Sequence, residues 1–119
     1  MAQKTGNMFI NAFEGLAYFF RHERNGRIQS VIAIFTMALA AFLHIGSIEW
    51  IIVLICTGSV LSLEMLNSAL EKLCDLLHPG FDARIKIIKD MAAGAVLWAS
   101  IISAAIGTII FLPKILNYL

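Results

Sequence analysis

Three stretches of the chain carry no Lys, Arg, Asp or Glu: Ile28 to Ser47, Trp50 to Leu63, and Met91 to Pro113. Crossing a bilayer takes about 20 predominantly apolar residues. The first and third stretches meet that length alone. The second meets it only if its helix continues through Glu64 to about Leu70. The pattern therefore predicts three transmembrane helices, over about 28–47, 50–70 and 91–112. Ahead of them, Met8, Phe9, Phe13, Leu16, Phe19 and Phe20 fall broadly on one side of a helical projection. Asn7, Asn11 and Glu14 fall on the other. That periodicity predicts an amphipathic helix over about 5–22, lying at the membrane surface. No repeats or Pro/Gly/Ser-rich linkers interrupt this plan, so residues 1–119 read as one all-α membrane domain.

Composition sharpens the picture. The chain is 60% hydrophobic and 14% charged, with a mean hydropathy of +0.84. A soluble domain is nearer half apolar and a quarter charged. A net charge of +1 offers nothing to nucleic acid. Cys56 and Cys74 form no CxxC and no metal spacing, and read as free thiols. The N-terminus has no uninterrupted apolar region and no small-residue cleavage site, so it should be retained. Lys4, Arg21, Arg24 and Arg27 precede the first span, and Lys72, Arg84, Lys86 and Lys89 surround the connection between the second and third. The "HIGSIE" connection has no basic residue but His44, and Lys114 alone serves the C-terminus. The positive-inside rule then places the N-terminus and the 76–89 loop in the cytoplasm and the C-terminus outside, in the cytoplasmic (inner) membrane.

The second span ends in "LEMLNSALEKLCD", residues 63–75, which carries three acids. Trp50 is a natural outer-interface anchor. At 1.5 Å per residue Glu64 lies about 21 Å from it, still within a hydrocarbon core about 30 Å thick. Glu71 and Asp75 fall at or beyond the surface. Glu64, Asn67, Ser68, Glu71 and Asp75 share an arc of roughly 100°. A helix becoming polar as it leaves the membrane accounts for Asp75 and, at most, for Glu71. It accounts poorly for Glu64, which has apolar neighbours on both sides. Intramembrane acids are costly and functional by default.

Acids so aligned repel unless a cation intervenes, and Lys72 lies about 100° away from Glu71 on the helix. A divalent ion is the natural remedy. Mg²⁺ takes one or two protein carboxylates and completes its shell with water and phosphate oxygens, which points to a nucleotide or phosphate partner. Glu23, within "ERN" at 23–25, sits among arginines just before the first span. Lys89 and Asp90 open the third. Asp90 suits the positive end of a helix, whereas Lys89 there wants an anionic partner. Ala92, Ala93, Gly94 and Ala95 are small enough for close helix approach. The chain has no GxxxxGK[ST], GxGxxG or HExxH, and His22, His44 and His78 have no ligand spacing. Any nucleotide site must be built from helix side chains at the membrane surface.

"LEMLNSALEKLCDLL" followed by "KDMAAGAVL" resembles the small bacterial integral-membrane lipid kinases: the prokaryotic diacylglycerol kinases and the related undecaprenol kinases. The resemblance extends over nearly the whole chain. "IEW" and the "IIFLPK" ending look more like the undecaprenol kinase branch. The resemblance implies transfer of the ATP γ-phosphate to a lipid hydroxyl at the cytoplasmic face, with Mg²⁺. It implies Glu64 as the catalytic base and Glu23 and Glu71 as the metal-holding pair. Lys4, Asn11, Glu23, Asn67, Glu71, Lys89 and Asp90 match nucleotide-contacting positions. Glu64, Asn25 and Gln29 match the lipid-substrate side. It further implies a homotrimeric helix bundle with sites shared between protomers. Glu14 stands where relatives commonly have a basic residue, Gln29 where the undecaprenol-type pattern has His, and "HPGFD" is unlike either branch.

Two other classes compete. A proton-coupled transporter subunit would also gather around a membrane-embedded glutamate, but nearer mid-bilayer and without Glu71, Asp75, Lys89 and Asp90 at one surface. A non-catalytic assembly subunit would use the polar stripe as packing glue. The lipid alcohol itself is left between undecaprenol, which is favoured, and diacylglycerol.

Overall fold

A computed structural model describes residues 7–119, so Lys4 lies outside the described residues. The described chain is all-helical: α1 Met8–His22, α2 Arg24–Phe42, α3 Ser47–Leu77 and α4 Ala83–Tyr118. The last three are long and apolar enough to cross a membrane. Large side chains such as Val31, Phe35, Leu54, Leu97, Trp98 and Ile109 are more than half exposed. So much outward apolar surface requires an apolar solvent, and the protein is a multi-pass membrane protein.

Each helix boundary has a local cause. The Asn7 side chain caps α1 by accepting from the Ile10 N–H at 3.1 Å. Glu23 is extended (φ −97°, ψ 121°) and serves as C-cap of α1 and N-cap of α2 at once. The Arg27 guanidinium braces this elbow by donating to the Arg21 carbonyl at 2.7 Å. Gly26 makes the elbow possible, because a Cβ there would come within 2.9 Å of the Phe19 ring and 3.0 Å of its carbonyl oxygen.

The apolar stretch continues past Phe42, but α2 does not. The His44 N–H bonds to the Ala41 carbonyl (3.2 Å) and the Ile45 N–H to the Ala40 carbonyl (3.3 Å). This is a Schellman stop with His44 at φ 55°, where glycine is usual. Its accompanying hydrophobic contact is present, since Ala40 and Ile45 are both buried in the same cluster. α3 then starts with the Gly46 N–H donating to Glu49 Oε1 at 3.0 Å. Asp82 caps α4 through the Arg84 N–H at 2.8 Å. The Arg84 side chain and backbone hold the Asp82 carboxyl well below the usual carboxylate range.

α4 packs chiefly on α3, α2 more lightly on α3, and α1 on α2. The apolar core lies at one end of the bundle: Ala40, Ile45, Val53, Ile110 and Phe111, with Trp50 and Ile106 against it. At that end Lys114 pairs with Glu49 at 3.2 Å and ties α4 to α3. At the other end α3 buries polar groups instead: Glu64, Asn67 and Ser68. Close approach at Ala92–Ala95 is not found among the described residues. A Cβ on Gly94 would meet nothing within 4 Å, and its neighbours Ala93 and Ala95 are exposed. Helix α3, at 31 residues, is about 46 Å long, and α4, at 36, about 54 Å. Both exceed a 30 Å hydrocarbon core, so their polar ends project beyond it. The particle measures 54 × 39 × 21 Å.

Candidate active site

The polar half of α3 meets the α1–α2 elbow and the first turns of α4. Glu64 is 4% exposed, and its Oε2 accepts a long hydrogen bond (3.4 Å) from Asn25 Nδ2 on α2. Asn67 and Ser68 are each 6% exposed on the same face, and Asn67 Oδ1 is buried without a hydrogen-bond partner among the described residues. Glu71, half-buried, follows one turn later.

Ion pairs ring this stripe. Lys72 leaves α3 sideways, as its offset from Glu71 predicts, and reaches Glu23 Oε2 at 2.9 Å. Its ammonium also lies 5.4 Å from the centre of the Tyr18 ring, which stacks on His22 at 4.3 Å. Lys89 finds the anionic partner its helix position calls for within the chain, pairing with Asp75 at 2.9 Å. Asp90, the next residue on α4, faces another way and pairs with Lys86 at 2.6 Å. Asn11 is exposed on α1, well before the elbow in the chain.

A groove of about 370 Å³ runs between α2, α3 and α4. Small side chains line much of it, among them Ala33, Thr36, Ser103 and Gly107, and Phe111 and Val53 lie at its far end. Gln29, Val60 and Leu61 line its near end. Gln29 is one helical turn from Asn25, and Val60 and Leu61 are one turn from Glu64. The near end of the groove thus abuts the Asn25–Glu64 pair.

The donor set can be tested against a divalent metal. Glu23, Glu71 and the unpartnered Asn67 Oδ1 offer hard oxygen atoms, the kind Mg²⁺ prefers. Among the described residues no three of His, Cys, Asp and Glu converge on one point. The set fits an ion that takes one or two protein ligands and the rest from phosphate oxygens, and not a fully protein-enclosed ion.

Sequence reasoning set Lys72 aside and gave Tyr18 no role, although both belong to this cluster. The available signal was Glu23 itself: a shielded acid at a helix elbow requires a counter-ion.

The arrangement is a polar cluster with a buried carboxylate at one end and paired charges at the other. The family described as prokaryotic diacylglycerol kinase matches residues 10–111. An undecaprenol kinase of Bacillus subtilis is 36% identical over 90% of this chain and 87% of its own length. A diacylglycerol kinase of Synechocystis is 36% identical over 92% of this chain and 63% of its own. A diacylglycerol kinase of Helicobacter pylori strain J99 is 33% identical over 74% of this chain and 73% of its own. The chain belongs to the prokaryotic diacylglycerol kinase family, and is a lipid kinase.

Proposed function

We propose that the protein transfers the ATP γ-phosphate to the hydroxyl of undecaprenol at the cytoplasmic face, with diacylglycerol as the alternative acceptor. The observation that carries this reading is the buried Glu64 at the near end of the groove, hydrogen-bonded to Asn25. A lipid chain lying in the groove would bring its terminal hydroxyl to that carboxylate. The groove, of about 370 Å³ and lined along much of its length by small side chains, suits one isoprenoid chain better than the two acyl chains of diacylglycerol. Its near end is edged by Gln29, whose amide can orient the hydroxyl.

Glu64 takes the proton of the lipid hydroxyl as its oxygen attacks the γ-phosphorus. The bond from that phosphorus to the β–γ bridging oxygen breaks, and ADP leaves. Asn25 holds one carboxylate oxygen, so that the other is directed to the hydroxyl. Glu23 and Glu71 would hold Mg²⁺, which when bound neutralises the charge on the transferring phosphate. Asn67 contributes its unpaired oxygen to the same end, and Lys89 and Asp90 contact the nucleotide, with Asn11 approaching it from α1 and Lys4 from the segment before it. Such phosphoryl transfer depends mainly on positioning and charge neutralisation.

This reading places α1 on the inner membrane surface, with Met8, Phe9 and Phe13 in the headgroup boundary. It also makes the protein a homotrimer in the inner membrane, with the N-terminus cytoplasmic and the C-terminus outside. The deciding experiment is phosphorylation of a panel of lipid alcohols by purified protein in mixed micelles with labelled ATP. Undecaprenol should outperform diacylglycerol. The opposite ranking would transfer the substrate assignment to diacylglycerol, and labelling of neither would remove the reading.

A further inference from the structure

Lys72 has no role in the reaction described above, yet it occupies the carboxylate that the reaction needs. Its ammonium is 2.9 Å from Glu23 Oε2 and 5.4 Å from the Tyr18 ring centre. Both partners lie on α1 or at its elbow, whereas Lys72 is on α3 beside Glu71. The Lys72 side chain is 53% exposed and that of Glu23 is 21% exposed. A solvent-reaching cation is therefore seated on a shielded acid, and across it α1 is strapped to α3.

We propose that Lys72 is a resident counter-ion of Glu23, exchanged for the divalent metal when the nucleotide arrives. Metal loading and release of the α1–α3 strap are then one event. The inference rests on the reading of Glu23 as a metal ligand. Its physical basis is competition for one carboxylate. Glu23 needs a positive neighbour while the metal is absent, and an ammonium on a flexible four-carbon stem is a partner that can leave. Arginine would be a worse placeholder, because its planar fork grips a carboxylate through two parallel hydrogen bonds. The lysine's hold lowers the apparent metal affinity by whatever the pair contributes, which for a solvent-reaching pair is at most about five-fold. The strap therefore holds α1 to α3 only until the metal displaces Lys72 from Glu23.

The test reads metal binding without turnover. Mn²⁺ is titrated into the purified full-length protein in micelles with a non-hydrolysable ATP analogue and no lipid alcohol, and free Mn²⁺ is followed by electron paramagnetic resonance. Lys72→Gln should bind Mn²⁺ about two- to five-fold more tightly than the wild type. Lys72→Arg should bind no more tightly than the wild type. In a Glu23→Gln background, Lys72→Gln should change nothing further. Unchanged or weaker binding by Lys72→Gln, with Glu23→Gln weakened, would overturn the counter-ion role and leave the metal assignment standing. Wild-type binding by Glu23→Gln would remove the metal assignment and the counter-ion role together.

Discussion

Glu64 and Glu71 are two turns apart on one helix, but their surroundings give them different tasks. Glu64 is enclosed, touches Asn25, and faces the end of an apolar groove. Glu71 is half-buried and lies near the charged end of Lys89, where phosphates would be received. General-base assistance contributes about 10²–10⁴-fold. Glu64→Gln should therefore reduce kcat by about that factor, while nucleotide-induced thermal stabilisation stays near the wild-type value. Glu71→Gln should raise the KM for nucleotide and the metal concentration needed for half-maximal rate. Loss of nucleotide binding in Glu64→Gln with kcat preserved at saturating ATP would mean that the two roles are reversed.

Among the helices, α3 fixes the working geometry. Its apolar half packs beside Ala40, Ile110 and Phe111, and its polar half continues without a break beyond the hydrocarbon. The turn at 43–46 and the loop at 78–82 must then lie on opposite sides of the membrane, since α3 spans the distance between them. The excess of Arg and Lys around the elbow and around 84–89 is the basis for proposing that the second side is cytoplasmic. With Cys56 and Cys74 replaced, a cysteine at Ser47 should react with an impermeant thiol reagent from outside the cell. One at Asp82 should react only after the inner face is opened. The reverse labelling would put the carboxylate stripe on the side without ATP and end the kinase mechanism proposed here.

At the scale of the whole molecule, the chain leaves a face of its central helix without a partner among the described residues. Ile51, Ile55, Gly58, Ser62, Leu66, Ala69 and Leu73 lie on the side of α3 away from Glu64, and all are exposed. Their spacing is close to a heptad, with small residues between larger ones, as in helices that pack against copies of themselves in lipid. Lipid alone would leave that regularity without a purpose. Chemical cross-linking in micelles should give a ladder that ends at three chains, and Ile55→Trp or Gly58→Trp should shorten it. A ladder ending at one chain in the wild type would exclude the trimer.

Much of this was legible from residue order. Long uncharged stretches dictate membrane helices, because an unpaired charge is costly in hydrocarbon. Helical periodicity alone aligns Glu64, Asn67, Ser68 and Glu71 on one face of α3, because side chains three and four apart share a side. What pattern could not give was any relation between helices. The end of α2 at Phe42, inside an apolar run, depends on the Schellman turn and on Ala40 meeting Ile45 in the core. The partners Lys72–Glu23, Lys89–Asp75 and Asn25–Glu64 join separate helices or segments far apart in the chain. The small residues at 92–95 matched a close-packing pattern, yet among the described residues nothing comes within 4 Å of a Cβ at Gly94. Sequence determined which residues each helix presents on which side, which follows from the helical repeat, and which helices are apolar enough to cross a membrane, which follows from the cost of charge in lipid. Tertiary structure alone decided which faces meet, because contact depends on how the helices are turned and crossed, and no periodicity within one helix encodes that.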